Sequence, residues 1–152
     1  MTPTLVVGVG NRDRGDDAVG PVVCDLVDER AGGAIPTLVI ESAVLDLAHR
    51  WQPEDRVVIV DAAAPAGHPG RITEPDLLAR RPSTPVSTHS VDLAAAVELA
   101  GIVDRLPASL TIIAIEGESF GVGTPLSDAV RRSADTVAGR LSRLAAAAAG
   151  NR

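Results

Sequence analysis

The chain has no lysine, no tyrosine, one cysteine and two aromatic residues, Trp51 and Phe120. With so few rings, a core has to be assembled from Val, Leu, Ile and Ala, which a hydrophobic content of 45% permits. The 152 residues suit a single domain spanning residues 1–152. Cys24 stands alone and cannot form an intrachain disulfide, which agrees with a reducing compartment. The first nine residues carry no basic start and no long apolar run, so they do not read as a secretory signal. No apolar run approaches the ~18 residues of a membrane span. The expected location is the cytoplasm, away from membranes. The 14 cationic side chains are all arginines and face 20 carboxylates, for a net charge of -6. That sign disfavours binding to a phosphate backbone, so nucleic acid is not an expected partner. A basic partner remains compatible.

What the sequence does contain is an alternation of apolar runs and helical patterns. Thr4–Val9 is a strand-length apolar run ending in glycines. Val19, Val22, Val23, Leu26 and Val27 then repeat at the spacing of one helix face, with Pro21 in the first turn, where proline is tolerated. Thr37–Ile40 predicts a second strand, and Val44–Trp51 a short helix stopped by Pro53. Val57–Val60 predicts a third strand ending at Asp61, and Gly70–Thr73 a short edge strand. Residues 75–81 read as a short helix at most, and 81–88 as a polar, proline-rich loop. A helix over Val91–Ala100, a strand over Leu110–Ile115, a glycine-rich loop over Gly117–Pro125 and a helix over Ser127–Ala149 complete the order. In the last helix Val130, Val137, Leu141 and Leu144 share one side. Strands that are continuously apolar and alternate with helices predict an α/β fold. Its form is a three-layer α/β/α sandwich, a mostly parallel twisted sheet with helices on both faces.

Ligands of open α/β sheets bind beyond the carboxyl ends of the strands. Three polar clusters fall there: Gly8 to Asp17, Asp61, and Thr88-His89. Gly8-Val9-Gly10 suggests a dinucleotide fingerprint, but Asp13 occupies the third glycine position, and Asp16 and Asp17 would repel a pyrophosphate. No Gly-Lys-Ser/Thr follows, so a Walker A loop is excluded. Asp16 and Asp17 suit the cap of the first helix, which is the plain structural reading of both. Asp61 directly after an apolar strand is costly unless hydrogen-bonded or metal-bound. His89, among Ser87, Thr88 and Ser90, reads either as a capping-region residue or as a ligand. Asp17, Asp61 and His89 together would make an open carboxylate–imidazole set suited to zinc, nickel or another divalent first-row ion. His49 on a short helix and His68 in a loop are weaker candidates. Cys24 lies on the apolar side of the first helix and reads as a buried structural thiol.

Val6-Val7-Gly8-Val9-Gly10-Asn11, followed by Gly15-Asp16-Asp17 and Gly20-Pro21, resembles the N-terminal signature of hydrogenase maturation endopeptidases. Val57–Val60 with Asp61-Ala62 is similar to that family's second motif, and Thr88-His89 before a helix to its third. Ile115–Ser119 resembles its last strand end, and Leu126-Ser127 with Val130 its final helix, so the resemblance covers nearly the whole chain. It implies an α/β/α fold. It also implies removal of a C-terminal peptide from the precursor of a nickel-iron hydrogenase large subunit after nickel insertion. By the same resemblance, Asp17, Asp61 and His89 are the metal-binding and catalytic positions. Asn11, Asp16 and Glu41 are substrate-binding positions. The metal is nickel carried by the substrate, or another divalent ion such as zinc. One departure stands out: Glu41-Ser42-Ala43 keeps the acid but lacks the glycines usual in the family after the second strand. Ser and Ala do not take positive φ as cheaply as glycine, so a differently shaped loop is expected there.

Two other readings compete with a metal-dependent endopeptidase. One is a non-catalytic metal-recognition or binding module of the same fold. The other is a serine hydrolase using Ser42 or Ser87 with His89 and Asp61, disfavoured because no Gly-x-Ser-x-Gly elbow is present. A His-Glu-x-x-His helix is absent as well, which leaves Asp16 as a weak general-base candidate.

Overall fold

The computed structural model describes residues 4–42, 44–76 and 88–150, apart from the side chains at 44–45, 88–92 and 145–150. Five strands form one sheet: β1 (Thr4–Val9), β2 (Thr37–Ile40), β3 (Arg56–Ala63), β4 (Ile72–Thr73) and β5 (Ser109–Glu116). Their order across the sheet is β2-β1-β3-β5-β4. All neighbours pair in parallel except β4, which lies antiparallel on β5 at one edge. The long helices are α1 (Val19–Ala31), α2 (Thr88–Ile102) and α3 (Asp128–Gly150).

Alternation along the central strands divides the core in two. Val6, Val58 and Val60 face α1 and α3, meeting Val23, Val27, Val130 and Val137. Val7, Val57 and Ile59 face the other way, onto α2 and the 3-10 helix Val44–His49, meeting Leu47, Trp51, Leu93 and Val97. Successive side chains of a strand point to opposite faces, so two apolar layers require strands apolar at every position. This is the expected α/β sandwich, a mostly parallel sheet covered on both faces. Trp51 closes the second layer from below, its indole N–H donating to the Arg105 carbonyl at 2.7 Å. Across the first layer, Arg30 of α1 pairs with Asp135 of α3.

Several boundaries differ from the sequence reading. β3 continues through Asp61 to Ala63, because β5 pairs with it as far as Ala63↔Glu116. The short helix expected over Val44–Trp51 is a 3-10 helix that ends at His49. α2 begins at Thr88, so His89 lies in its first turn rather than before it. Leu144 is 46% exposed and does not join Val130, Val137 and Leu141 in the core. Asp16 and Asp17 do not cap α1: they form a 3-10 turn, Gly15–Ala18, and the residue at the cap position is Ala18, with no side-chain cap hydrogen bond. The expectations for residues 75–81 and 81–88 fall largely on 77–87, outside the described residues.

The crossing of α1 over β1 is set by glycines. A methyl group on Gly20 would stand 2.5 Å from the Val60 carbonyl oxygen and 2.7 Å from that of Val9. One on Gly8 would stand 2.4 Å from the Gly20 carbonyl oxygen. These contacts are with backbone, which cannot swing aside as a side chain can. Cys24 lies one turn further along α1, 1% exposed, and burial pushes its thiol up to about 12. The sequence expectation of a buried structural thiol therefore holds. Gly20→Ala is expected to destabilise the fold by at least ~2 kcal/mol, at the upper part of the overpacking range. Gly101→Ala, on α2 with only Leu106 Cδ1 at 3.7 Å, should instead be neutral or stabilising by up to ~1 kcal/mol. Urea unfolding of both variants beside the parent checks the contrast.

Candidate functional site at the carboxyl edge of the sheet

The parallel strands bring several polar residues to one edge. Register places Gly8 opposite Val60 and Val9 opposite Ile40, so Asp61 on β3 is level with the last residues of β1 and β2. Asp61 is 2% exposed, and its Oδ1 accepts the N–H of Ala62 at 2.8 Å. It follows Val57 and Ile59 in parity and therefore points to the α2 face. Beyond the opposite end of α2, the α2–β5 loop is tied down at the other edge: the Arg105 guanidinium donates to the Ala48 carbonyl of the 3-10 helix, and the Ala108 N–H to the Asp55 carbonyl just before β3. The first turn of α2, with Thr88 and His89 in it, accordingly stands at the carboxyl edge. The imidazole of His89 lies outside the described residues.

Asp17 enters from the β1–α1 turn. It is 4% exposed, and its Oδ2 accepts the Asn11 N–H at 2.9 Å. The turn can fold this tightly because Gly10 has φ +144°: a Cβ there would stand 1.9 Å from the Asp17 carbonyl oxygen. Asn11 is half-buried, and its side-chain oxygen accepts the Asp13 N–H at 2.8 Å. Glu41 is exposed at the end of β2, where Val39, Ile40, Glu41, Ser42, Asp46 and Arg50 line a groove of about 370 Å³. Ser42 does not take a positive φ, since Asp104 is the single non-glycine that does so among the described residues. His49 and His68 are both exposed. Among the described residues no three His, Cys, Asp or Glu side chains gather as a ready metal cage.

Asp16 goes elsewhere. Its side chain is fully buried, and both oxygens accept hydrogen bonds from the segment between β5 and α3. Oδ2 takes the N–H groups of Glu118 (2.7 Å) and Ser119 (3.0 Å) and the Ser127 hydroxyl (2.9 Å). Oδ1 takes the Ser127 N–H at 2.8 Å. Burial alone would raise its pKa, but these four donors outweigh that and hold the carboxyl below its ordinary value. Nothing in the sequence pointed to this link, which joins residues more than a hundred positions apart. The nearest signals were Ser127 before the last helix and the glycines of the loop ahead of it. Glu116, a second acid ending an apolar strand, is likewise buried: it is 6% exposed and accepts the His68 N–H.

A carboxylate whose folded pKa is depressed stabilises the fold above its unfolded pKa, and that contribution is lost as pH falls through the folded value. The stability gap between the parent and Asp16→Asn is therefore expected to be widest near neutral pH and to shrink below about pH 4, the ordinary carboxylate range. Denaturant midpoints of both proteins from pH 7 to pH 3 check this; a gap that does not change with pH overturns it.

The comparisons agree with this fold. A family model described as hydrogenase maturation protease (HycI) matches residues 37–143. Among solved structures, the chain is similar to the [NiFe] hydrogenase maturation protease HybD from Thermococcus kodakarensis, with a TM-score of 0.73 and 21% identity over 95% of this chain and 99% of that one. The [NiFe] hydrogenase maturation protease HycI from Thermococcus kodakarensis KOD1 gives 0.67 and 26%, over 95% and 92% of the two chains. The hydrogenase maturating endopeptidase HybD from E. coli gives 0.70 and 17%, over 92% and 90%. No curated protein matches the chain. With a family match across well over half its length, the chain belongs to the hydrogenase maturation protease family.

Proposed function

We propose that this chain, acting as a single domain over residues 1–152, is a metal-dependent endopeptidase. It cuts the C-terminal extension from the large-subunit precursor of a nickel-iron hydrogenase after nickel has been inserted. The family match over residues 37–143 carries this reading. The chemistry required is hydrolysis of one peptide bond in a folded, metal-loaded partner. Asp17, Asp61 and His89 are the residues assigned to it. Two carboxylates and an imidazole form a donor set that suits nickel held by the precursor, and suits zinc as a divalent alternative. An ion held there supplies Lewis-acid polarisation of the scissile carbonyl and activation of a water. Asn11 orients Asp17 through its backbone N–H and, with Glu41, faces the edge where the precursor would lie. Asp16 is assigned to holding the neighbouring loop, since both of its oxygens are engaged within the protein.

Among the described residues no helix is long and apolar enough to cross a membrane. A cytoplasmic location belongs to the same proposal, and a lone buried thiol agrees with a reducing compartment. A non-catalytic recognition module would bind the same precursor and leave it uncut.

The test is incubation with nickel-loaded precursor, read by mass as a shortened large subunit and a released peptide. His89→Ala and Asp61→Asn are each expected to slow cleavage by at least ~100-fold, the rate equivalent of about 3 kcal/mol. Melting temperatures should stay near the parent's, because alanine suits a helix and asparagine retains the oxygen that meets Ala62. Cleavage by either variant at the parental rate would remove that residue from the mechanism. An intact precursor with the parent protein would leave the recognition module as the function. The open ligand set also implies that protein purified without precursor carries well under one equivalent of metal, removable by a chelator; elemental analysis before and after dialysis checks this.

A further inference from the structure

We propose that Asp16 is a positioning residue of the processing site: its hydrogen bonds fasten the β5–α3 loop to the β1–α1 turn and so fix the direction in which Asp17 points. This rests on the assignment of Asp17 to the chemistry.

The turn Gly15–Ala18 has only four residues, and its two carboxylates diverge. Asp16 turns toward the β5–α3 loop, and Asp17 toward the end of β1, where it accepts from Asn11. The backbone allows little else. Gly15 has φ +54°, and a Cβ there would stand 2.5 Å from the Ser119 carbonyl oxygen. The Asp16 N–H donates to that same carbonyl at 2.8 Å while its carboxylate accepts the Ser119 N–H, so the two residues hold each other from both sides. Further out, the Gly123 N–H donates to the Asp13 carbonyl at 2.7 Å. With Asp16 held at its backbone and at both side-chain oxygens, the turn cannot rotate about its own axis. The next residue, Asp17, is then aimed at Gly10 and Asn11.

An apolar side chain could close the same gap without burying a charge, but it would not fix an angle. Hydrogen bonds from three backbone N–H groups and a hydroxyl do. Full burial keeps Asp16 from touching substrate, so any effect it has on cleavage must act through its neighbours.

Asp16→Asn is the informative change. An amide can still accept the Ser127 N–H, but its NH2 group then opposes the N–H groups of Glu118 and Ser119. Single-turnover cleavage of nickel-loaded precursor by Asp16→Asn is expected to be about 30-fold slower, with half-saturation within about 3-fold of the parent, as for groups that orient a ligand rather than supply one. Ser127→Ala, which removes one of the four donors at the rim, should lose about 10-fold, and the double variant should lose less than the product of the two. The second readout needs no substrate: in amide NMR spectra the Asn11 resonance should move in both variants toward its position in Asp17→Asn. An unmoved Asn11 resonance in both variants overturns the proposal, as does parental cleavage by both. Slower cleavage that comes wholly from a raised half-saturation point also overturns it, since the loop would then be a binding surface only. If Asp16→Asn fails to fold, Ser127→Ala decides by the same criteria. If the parent itself does not cut the precursor, the endopeptidase reading fails, and the Asn11 resonance still tests whether Asp16 sets Asp17.

Discussion

Everything at the carboxyl edge depends on how closely α1 lies on β1. The helix crosses the strand where Gly8 and Gly20 meet, near the carbonyl oxygens of Val9 and Val60. No other residue pair permits that approach, because any Cβ would penetrate backbone. The consequence is geometric. With α1 starting so near the sheet, the chain has only Gly10 to Ala18 in which to leave β1, turn and enter the helix. A segment that short must be tightly folded, and the glycines at 10 and 15, both at positive φ, allow it. Asp17 is thereby brought back over the end of its own strand.

The same constraint explains why the two acids at the turn have separate roles. In sequence, the plain structural reading suits Asp16 and Asp17 equally to cap the first helix, since carboxylates at a helix start satisfy orphan N–H groups. In the structure neither caps α1, because the 3-10 turn intervenes and directs their side chains away from the helix. Asp16 finds its donors in the β5–α3 loop, Asp17 in Asn11. Adjacent residues of a tight turn differ in direction by a large angle, and so can serve two different parts of the molecule.

How much could be read in advance follows from the range of the forces involved. The strands and the first and last helices were legible, because apolar periodicity is local and both sheet faces demand it. Ends were less so. β3 extends past Asp61 because β5, some fifty residues later, supplies pairing partners as far as Glu116. Leu144 keeps the helical period of Val137 and Leu141 yet stands outside the core, half exposed. That Asp61 stands level with the ends of β1 and β2 follows from strand order and register, which no single segment encodes. The bonds of Asp16 to Glu118, Ser119 and Ser127 were invisible, since a serine before a helix reads the same whether or not a buried carboxylate awaits it.

The buried thiol has a practical consequence. Cys24 sits directly beneath the Gly8–Gly20 crossing, its sulfur 2.8 Å from where a Cβ on Gly8 would be. Held protonated by burial, it offers almost no thiolate to an alkylating reagent while the crossing is closed. It is also the chain's single cysteine. Modification by a thiol reagent therefore requires the packing around this crossing to open. The native sequence thus carries an internal clock for the opening of the contact that its carboxyl edge depends on, readable without a label being engineered in.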